Sequence, residues 1–328
     1  MTALTPVEPV SEVTAKPVPP LSPLALAVRR FRKHKMAMFG LGLLAILSLF
    51  IMFGGFFVHG YCAPINQELR GEAWANCADT SKSLLPPSPE NPWGTDVIGR
   101  DILARTIYGG QISLMIGVSA AFVEVFIGAL IGSIAAYYGG WIDSTLMRFT
   151  EAMLIIPSLF LLIIGARFFG KGVPDINIFG RELTGSVLVI ILIIGCTSWM
   201  YLARIVRANI LSLRERDYIS ASTALGASDS RLIINHLLPN TTAPLVVAAT
   251  LGVAAAILAE AYVSFLGVGV QGATATWGNM LDNAYRYLET APWLWFFPGT
   301  MILLTVLGIN FVGDGLRDAM DPYSSKHL

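Results

Sequence analysis

Six apolar blocks, each about the length needed to cross a membrane, constrain this chain more than any motif in it. They fall near residues 36–58, 113–138, 147–165, 187–206, 241–265 and 294–312. A helix needs roughly 20 residues to span the hydrocarbon core of a bilayer, so each block is a candidate span. Hydrophobic residues make up 54% of the 328 and charged residues only 13%, with a mean hydropathy of +0.63. Such a chain cannot dress an ordinary globule in a water-soluble surface. The expectation is an all-α integral membrane protein of six transmembrane helices with both termini on one side.

The basic residues orient it. The run Arg29-Arg30-Phe31-Arg32-Lys33-His34-Lys35 abuts the first span, and fourteen of the 22 lysines and arginines fall on its side of the predicted topology. Cytoplasmic loops carry the excess of lysine and arginine, so the N- and C-termini are predicted to be cytoplasmic. A net charge of zero gives no reason to expect a nucleic-acid partner, and the basic run reads as a topology anchor in the lipid bilayer. The chain then divides into five parts: a disordered, basic cytoplasmic tail (1–35), a first transmembrane helix (36–58), an extracytoplasmic segment (59–111), a five-helix core (112–313) and a cytoplasmic C-terminal tail (314–328).

One cytoplasmic loop, Arg214 to Asn240, has a layout of its own. Asp217 can cap a short helix through Leu225, Gly226 can end it in the left-handed conformation, and Ser228 or Asp229 can cap a second helix running to Pro239. Tyr218, Ile219 and Ala221 on the first arm, and Leu232, Ile233, Leu237 and Leu238 on the second, give an apolar face of the kind that sits in a partner's groove.

This segment resembles the EAA loop of importer-type ABC transporter permeases, whose pattern is Glu-Ala-Ala, three residues, Gly, nine residues, Ile, one residue, Leu-Pro. Here the spacing runs Ser220-Ala221-Ser222, Gly226, His236 and Leu238-Pro239. Serine replaces the glutamate and the second alanine, and histidine replaces the isoleucine, which keeps the elbow and alters the carboxylate contact. The stretch from Pro92 to Gly109 (PWGTDVIGRDILARTIYG) resembles the entry to the second helix of peptide-type permeases of the OppC or DppC kind. Arg29 to Gly42, Tyr137-Tyr138-Gly139-Gly140, Glu260 to Gly269 and Asn310 to Pro322 match other stretches of that family in the right order. After Val270 the outer loop lacks prolines that the family often has.

The resemblance implies a bacterial inner-membrane protein with the fold of a type I ABC importer transmembrane domain. It implies a non-catalytic subunit in a complex with a sister permease of the OppB or DppB kind, two ATPase subunits or domains (OppD/OppF- or DppD/DppF-like) and an extracytoplasmic binding protein. Peptide substrate would cross by alternating access. ATP and Mg would be held by the ATPases and no cofactor by this chain, whose one Gly-Lys pair, Gly170-Lys171, is not a P-loop. In that scheme Asp217, Tyr218, Ile219, Ser220, Ala221, Leu225, Gly226, Ala227, Arg231 and Pro239 couple the chain to the ATPase. Relatives associated with nickel, antimicrobial peptides, glycosides or haem widen the substrate class, although no His or Cys cluster in the spans suggests a metal.

Acids inside spans mark pathways or partners. Glu124, near the middle of the second block, and Glu260, near the outer end of the fifth, are the pathway candidates, with bonding to a neighbouring Ser or Thr, or bracing of the helix exit, as the alternative readings. Cys62 and Cys77 lie in the outer segment, either as a disulfide or as two unpaired thiols, and Cys196 reads as core packing. A secondary transporter would also have six spans and buried acids, but it would not need the capped helix pair. An intramembrane serine protease would need Ser228 and His236 in a sheltered site, and the loop lacks the second glycine of a nucleophile elbow.

Overall fold

The computed structural model describes residues 22–170, 172–178, 181–271 and 273–321. Most of each tail's far end (1–21 and 322–328), Lys171 of the Gly-Lys pair and Gly272 of the outer loop lie outside the described residues.

The molecule is a bundle built around one long helix, Ile102–Tyr138. At 1.5 Å per residue it is about 55 Å long, more than a bilayer core needs. It packs against the helices Gly185–Ser198, Met200–Arg214 and Thr242–Phe265. Ile112, Ile116, Val187, Ile190, Ile194 and Val263 interlock between them. The helix starts about three turns before the expected 113, because Asp101 caps it by accepting the Ala104 N–H at 2.7 Å. Its early polar and glycine residues read as a loop in the sequence. In fact the outer loop buries them: at Gly110 an added Cβ would stand 2.6 Å from the ring of Trp277.

Among the described residues, four helices are long and apolar enough to cross a membrane: Lys35–Phe57, Ile102–Tyr138, Thr242–Phe265 and Trp293–Met320. Two bent pairs bring the number to six if each pair is one span. The expected 147–165 span is instead Gly140–Ile155 followed by Ser158–Phe169, bent by 86°. The break is at Pro157, which lacks an N–H and holds Ile156 extended (ψ 123°). The expected 187–206 span is Gly185–Ser198 followed by Met200–Arg214, bent by 45°. There Thr197 and Ser198 turn their hydroxyls back onto the carbonyls of Ile193 and Ile194, both at 2.8 Å, a pattern that bends helices. Cys196, expected in the core, is exposed.

The N-terminal tail is not irregular throughout. Pro23–Lys33 forms a helix capped by Ser22, whose hydroxyl accepts the Ala25 N–H at 3.2 Å. Arg30, Arg32 and Lys33 sit at its C-terminal end, where the helix dipole favours cations. Phe31 lies against Gly315, Arg30 donates to the Asp321 carbonyl at 2.9 Å, and His34 stands 3.4 Å from Asp318. That packing accompanies a last helix that runs to Met320, past the expected end of its span at 312.

Two short antiparallel pairs qualify the all-α expectation: His59–Cys62 with Gln67–Arg70, and Ile176–Ile178 with Arg181–Leu183. Cys62 and Cys77 are joined as a disulfide, with their Cα atoms 6.0 Å apart. The bridge closes a small cap in which Val58, Trp74 and Ala75 pack onto Ala104 and Ile107 of the long helix.

Candidate functional site

The loop at the C-terminal end of the long helix carries most of the predicted site residues. Its first arm is the helix Asp217–Ala224, preceded by Arg216 in extended conformation with no side-chain cap. Asp217, expected as the cap, is instead the first helical residue, where its charge faces the positive end of the dipole. The arm ends in a Schellman motif: the Ala227 N–H donates to the Ser222 carbonyl at 3.1 Å and the Gly226 N–H to that of Thr223 at 2.9 Å. Gly226 adopts φ +81°, and a Cβ there would meet nothing within 4 Å. Backbone conformation, not crowding, is what demands glycine.

The second arm runs through Asp229–Leu232, a π-turn Ile233–Leu237 and Leu238–Asn240. The wide turn lies just before Pro239, which has no N–H to give to a regular ladder.

Burial divides the predicted face in two. Ile219 and Leu237 are buried with Ala136, Val206 and Ile210 in this chain's own core, and Leu232 is buried as well, so these three are not exposed to a partner as the spacing suggested. Tyr218, Ser220, Ala221, Leu225, Arg231 and Pro239 point outward; Leu225 is 90% exposed. Ala227 is half-buried.

Three polar contacts tie the loop to the long helix. Tyr137 donates its hydroxyl to Asp229 Oδ1 at 2.7 Å. Arg214 Nη1 donates to the carbonyls of Ala136 at 3.1 Å and Tyr137 at 2.9 Å. Those are among the last carbonyls of the long helix, which would otherwise lack partners. Beside them, Arg207 grips Asp143 with two bonds of 2.5 Å. Sequence reasoning took Tyr137 only as part of a turn; the contact joins residues 92 positions apart and leaves no local signal.

The two acids in the spans part company. Glu124 is half-buried near the middle of the long helix, with no hydrogen-bond partner among the described residues. It lies against Gly252, where a Cβ would come within 3.0 Å of its Oε2. Glu260 has no exposed surface. It accepts the hydroxyls of Ser264 and Thr276, each at 2.7 Å, and of Ser113 at 3.2 Å. Ser113 also accepts the backbone N–H of the buried Trp277 at 3.1 Å, and the Trp277 indole donates to the Thr106 carbonyl at 2.9 Å. Glu260 therefore braces the outer loop against the long helix, the second of the two readings its position allowed. Trp277 and Thr276, the other parts of that brace, were not singled out by sequence because they lie in an irregular stretch. Among the described residues no group of three or more His, Cys, Asp or Glu side chains could hold a metal ion.

Comparison with known proteins accounts for this architecture. Residues 128–326 match the family described as the binding-protein-dependent transport system inner membrane component. Residues 22–87 match the N-terminal transmembrane domain of oligopeptide transport permease C. The dipeptide transport system permease protein DppC of Alkalihalophilus pseudofirmus is 38% identical over 296 residues, covering 90% of this chain and 88% of that one. The oligopeptide transport system permease protein OppC of Bacillus subtilis is 37% identical over 301 residues, covering 92% and 90%. A chain of the inward-facing MetNI methionine ABC transporter shares the fold at a TM-score of 0.51 and 19% identity, over 66% of this chain and 96% of that one.

The chain is a membrane component of a binding-protein-dependent ABC transport system, of the class whose subunits are permeases and not catalysts. Within that class it belongs to the OppC/DppC family of oligopeptide and dipeptide permeases, multi-pass proteins of the cytoplasmic membrane.

Proposed function

We propose that this chain forms half of the translocation pathway of an ATP-driven importer of di- or oligopeptides. A sister permease supplies the other half, an extracytoplasmic binding protein delivers the peptide, and two cytoplasmic ATPases drive alternating access. The observation that carries the reading is the elbow at Gly226. It presents Tyr218, Ala221 and Leu225 outward on and just after a short helix, while Tyr137, Asp229 and Arg214 fasten the loop on either side of that helix to the end of the longest helix in the bundle. A push on the exposed arm is thereby passed to a rod about 55 Å long. In this scheme the loop and both termini are cytoplasmic, Asp217, Ser220, Ala227, Arg231 and Pro239 complete the ATPase contact, and Glu124 faces the passage.

The test is Gly226→Val in the assembled complex. A β-branched residue at φ +81° costs about 1–2 kcal/mol and re-aims both arms, so ATP hydrolysis is expected to continue while peptide uptake falls at least tenfold. Normal import by that variant would remove the loop as coupling element. Glu124→Gln and Glu124→Ala check the passage separately: a changed uptake rate or peptide preference is expected, and uptake unchanged in both removes Glu124 from the pathway.

A further inference from the structure

Arg105, at the end of the bundle opposite the coupling loop, is a buried cation that the protein leaves short of acceptors. It lies in the first turns of the long helix and is 3% exposed. Its Nη1 is buried with no hydrogen-bond partner among the described residues. The carboxylate that comes near it is that of Asp96, 3.9 Å from Nε. Asp96 is already engaged: it accepts Arg100 Nε at 2.7 Å and the backbone N–H groups of Ile98 and Arg100 at 3.0 and 2.9 Å. Asp101 is engaged as well, by the Ala104 N–H at 2.7 Å and Asn91 at 2.8 Å. The charges that act most on Arg105 are Arg100 and Asp96; with Asp282 at the exposed rim, two guanidinium groups and two carboxylates surround the space beside it.

A guanidinium does not shed its proton to escape burial, and a buried donor without an acceptor destabilises the site that holds it. Arg105 lines a cavity of about 60 Å³ together with Asp96, Arg100, Asn279, Asp282 and Asn283. A water needs roughly 10–15 Å³ of such space, so the cavity holds a small ion with a water or two and has no room for a peptide. Asp282, at the exposed rim, is bonded to the Asn283 side chain at 2.9 Å.

We propose that this cavity binds a small monoanion, a halide or a carboxylate no larger than formate, on Arg105. The ion completes the hydrogen bonding of the guanidinium and ties residues 96–105 to the outer loop at 279–287. The site is independent of the coupling reading and of the transported substrate.

Two measurements on the full complex in lipid nanodiscs and in crystals test it. Thermal unfolding is followed in sodium chloride and in sodium gluconate at equal ionic strength, gluconate being too large for the cavity. The expected result is a Tm higher by a few degrees in chloride, with the difference lost in Arg105→Gln. Crystals soaked in sodium bromide are expected to give an anomalous peak within hydrogen-bonding distance of Arg105 Nη1. Equal Tm in the two salts, a chloride shift that survives in Arg105→Gln, or bromide absent from the cavity would each overturn the proposal. If Arg105→Gln does not fold, the bromide position on the unaltered protein decides.

Discussion

The two ends of the long helix are held in opposite ways. At its N-terminal end the outer loop is locked by buried groups: Trp277 has no exposed surface, Glu260 gathers three hydroxyls, and Ser113 bridges the two. At its C-terminal end the Gly226 loop is held by the half-buried Tyr137 and by Asp229 and Arg214 at the surface, while Tyr218 and Leu225 stand exposed. A rod fixed at one end and loosely held at the other is suited to receive a push at the loose end. The contrast also locates where the chain expects a protein partner: the Trp277–Glu260 brace is satisfied by its own residues, and the free end displays apolar surface that water does not reward.

The largest expected effect lies at the locked end. Trp277→Ala removes a fully buried ring and its indole hydrogen bond to the Thr106 carbonyl of the long helix. Truncating such a ring costs about 3–5 kcal/mol, so the complex is expected to lose most of its thermal stability and to assemble poorly, as read by unfolding in nanodiscs and by yield on size exclusion. A variant that keeps the unaltered Tm would break the comparison, because the outer loop would then not be what anchors the rod.

Much of the fold was legible because apolar length reports a span directly, and the spans whose helices are continuous were placed within a few turns. The errors share a cause: single side chains redirected the backbone. Pro157 folded one block sharply, and Thr197 with Ser198 bent another. Asp101 started the long helix early under cover of a loop that only tertiary packing reveals. The loop from Asp217 to Asn240 was readable as an elbow because Gly226 and its spacing are local. Which apolar residues face outward was not, since Ile219 and Leu237 are claimed by helices distant in sequence. Glu124 and Glu260 looked alike as acids in apolar blocks. Only the convergence of Ser113, Ser264 and Thr276 on Glu260 separates them.

The smallest expected effect is the sharpest test of the loose end. Tyr137→Phe deletes one hydroxyl bonded to Asp229 at the surface, a contact worth about 1 kcal/mol or less to stability. Folding is therefore expected to be nearly unchanged, with a Tm within a few degrees of the unaltered protein. If the contact transmits force, the change appears elsewhere, as more ATP hydrolysed for each peptide imported. Asp229→Ala should raise that ratio by a similar factor, and the double variant should be no worse than either single one, because both remove the same link. Independent, multiplying effects would mean that Tyr137 and Asp229 act through different partners. An unchanged ratio in both single variants would mean that the rod is driven through Arg214 and the apolar contacts of the loop alone.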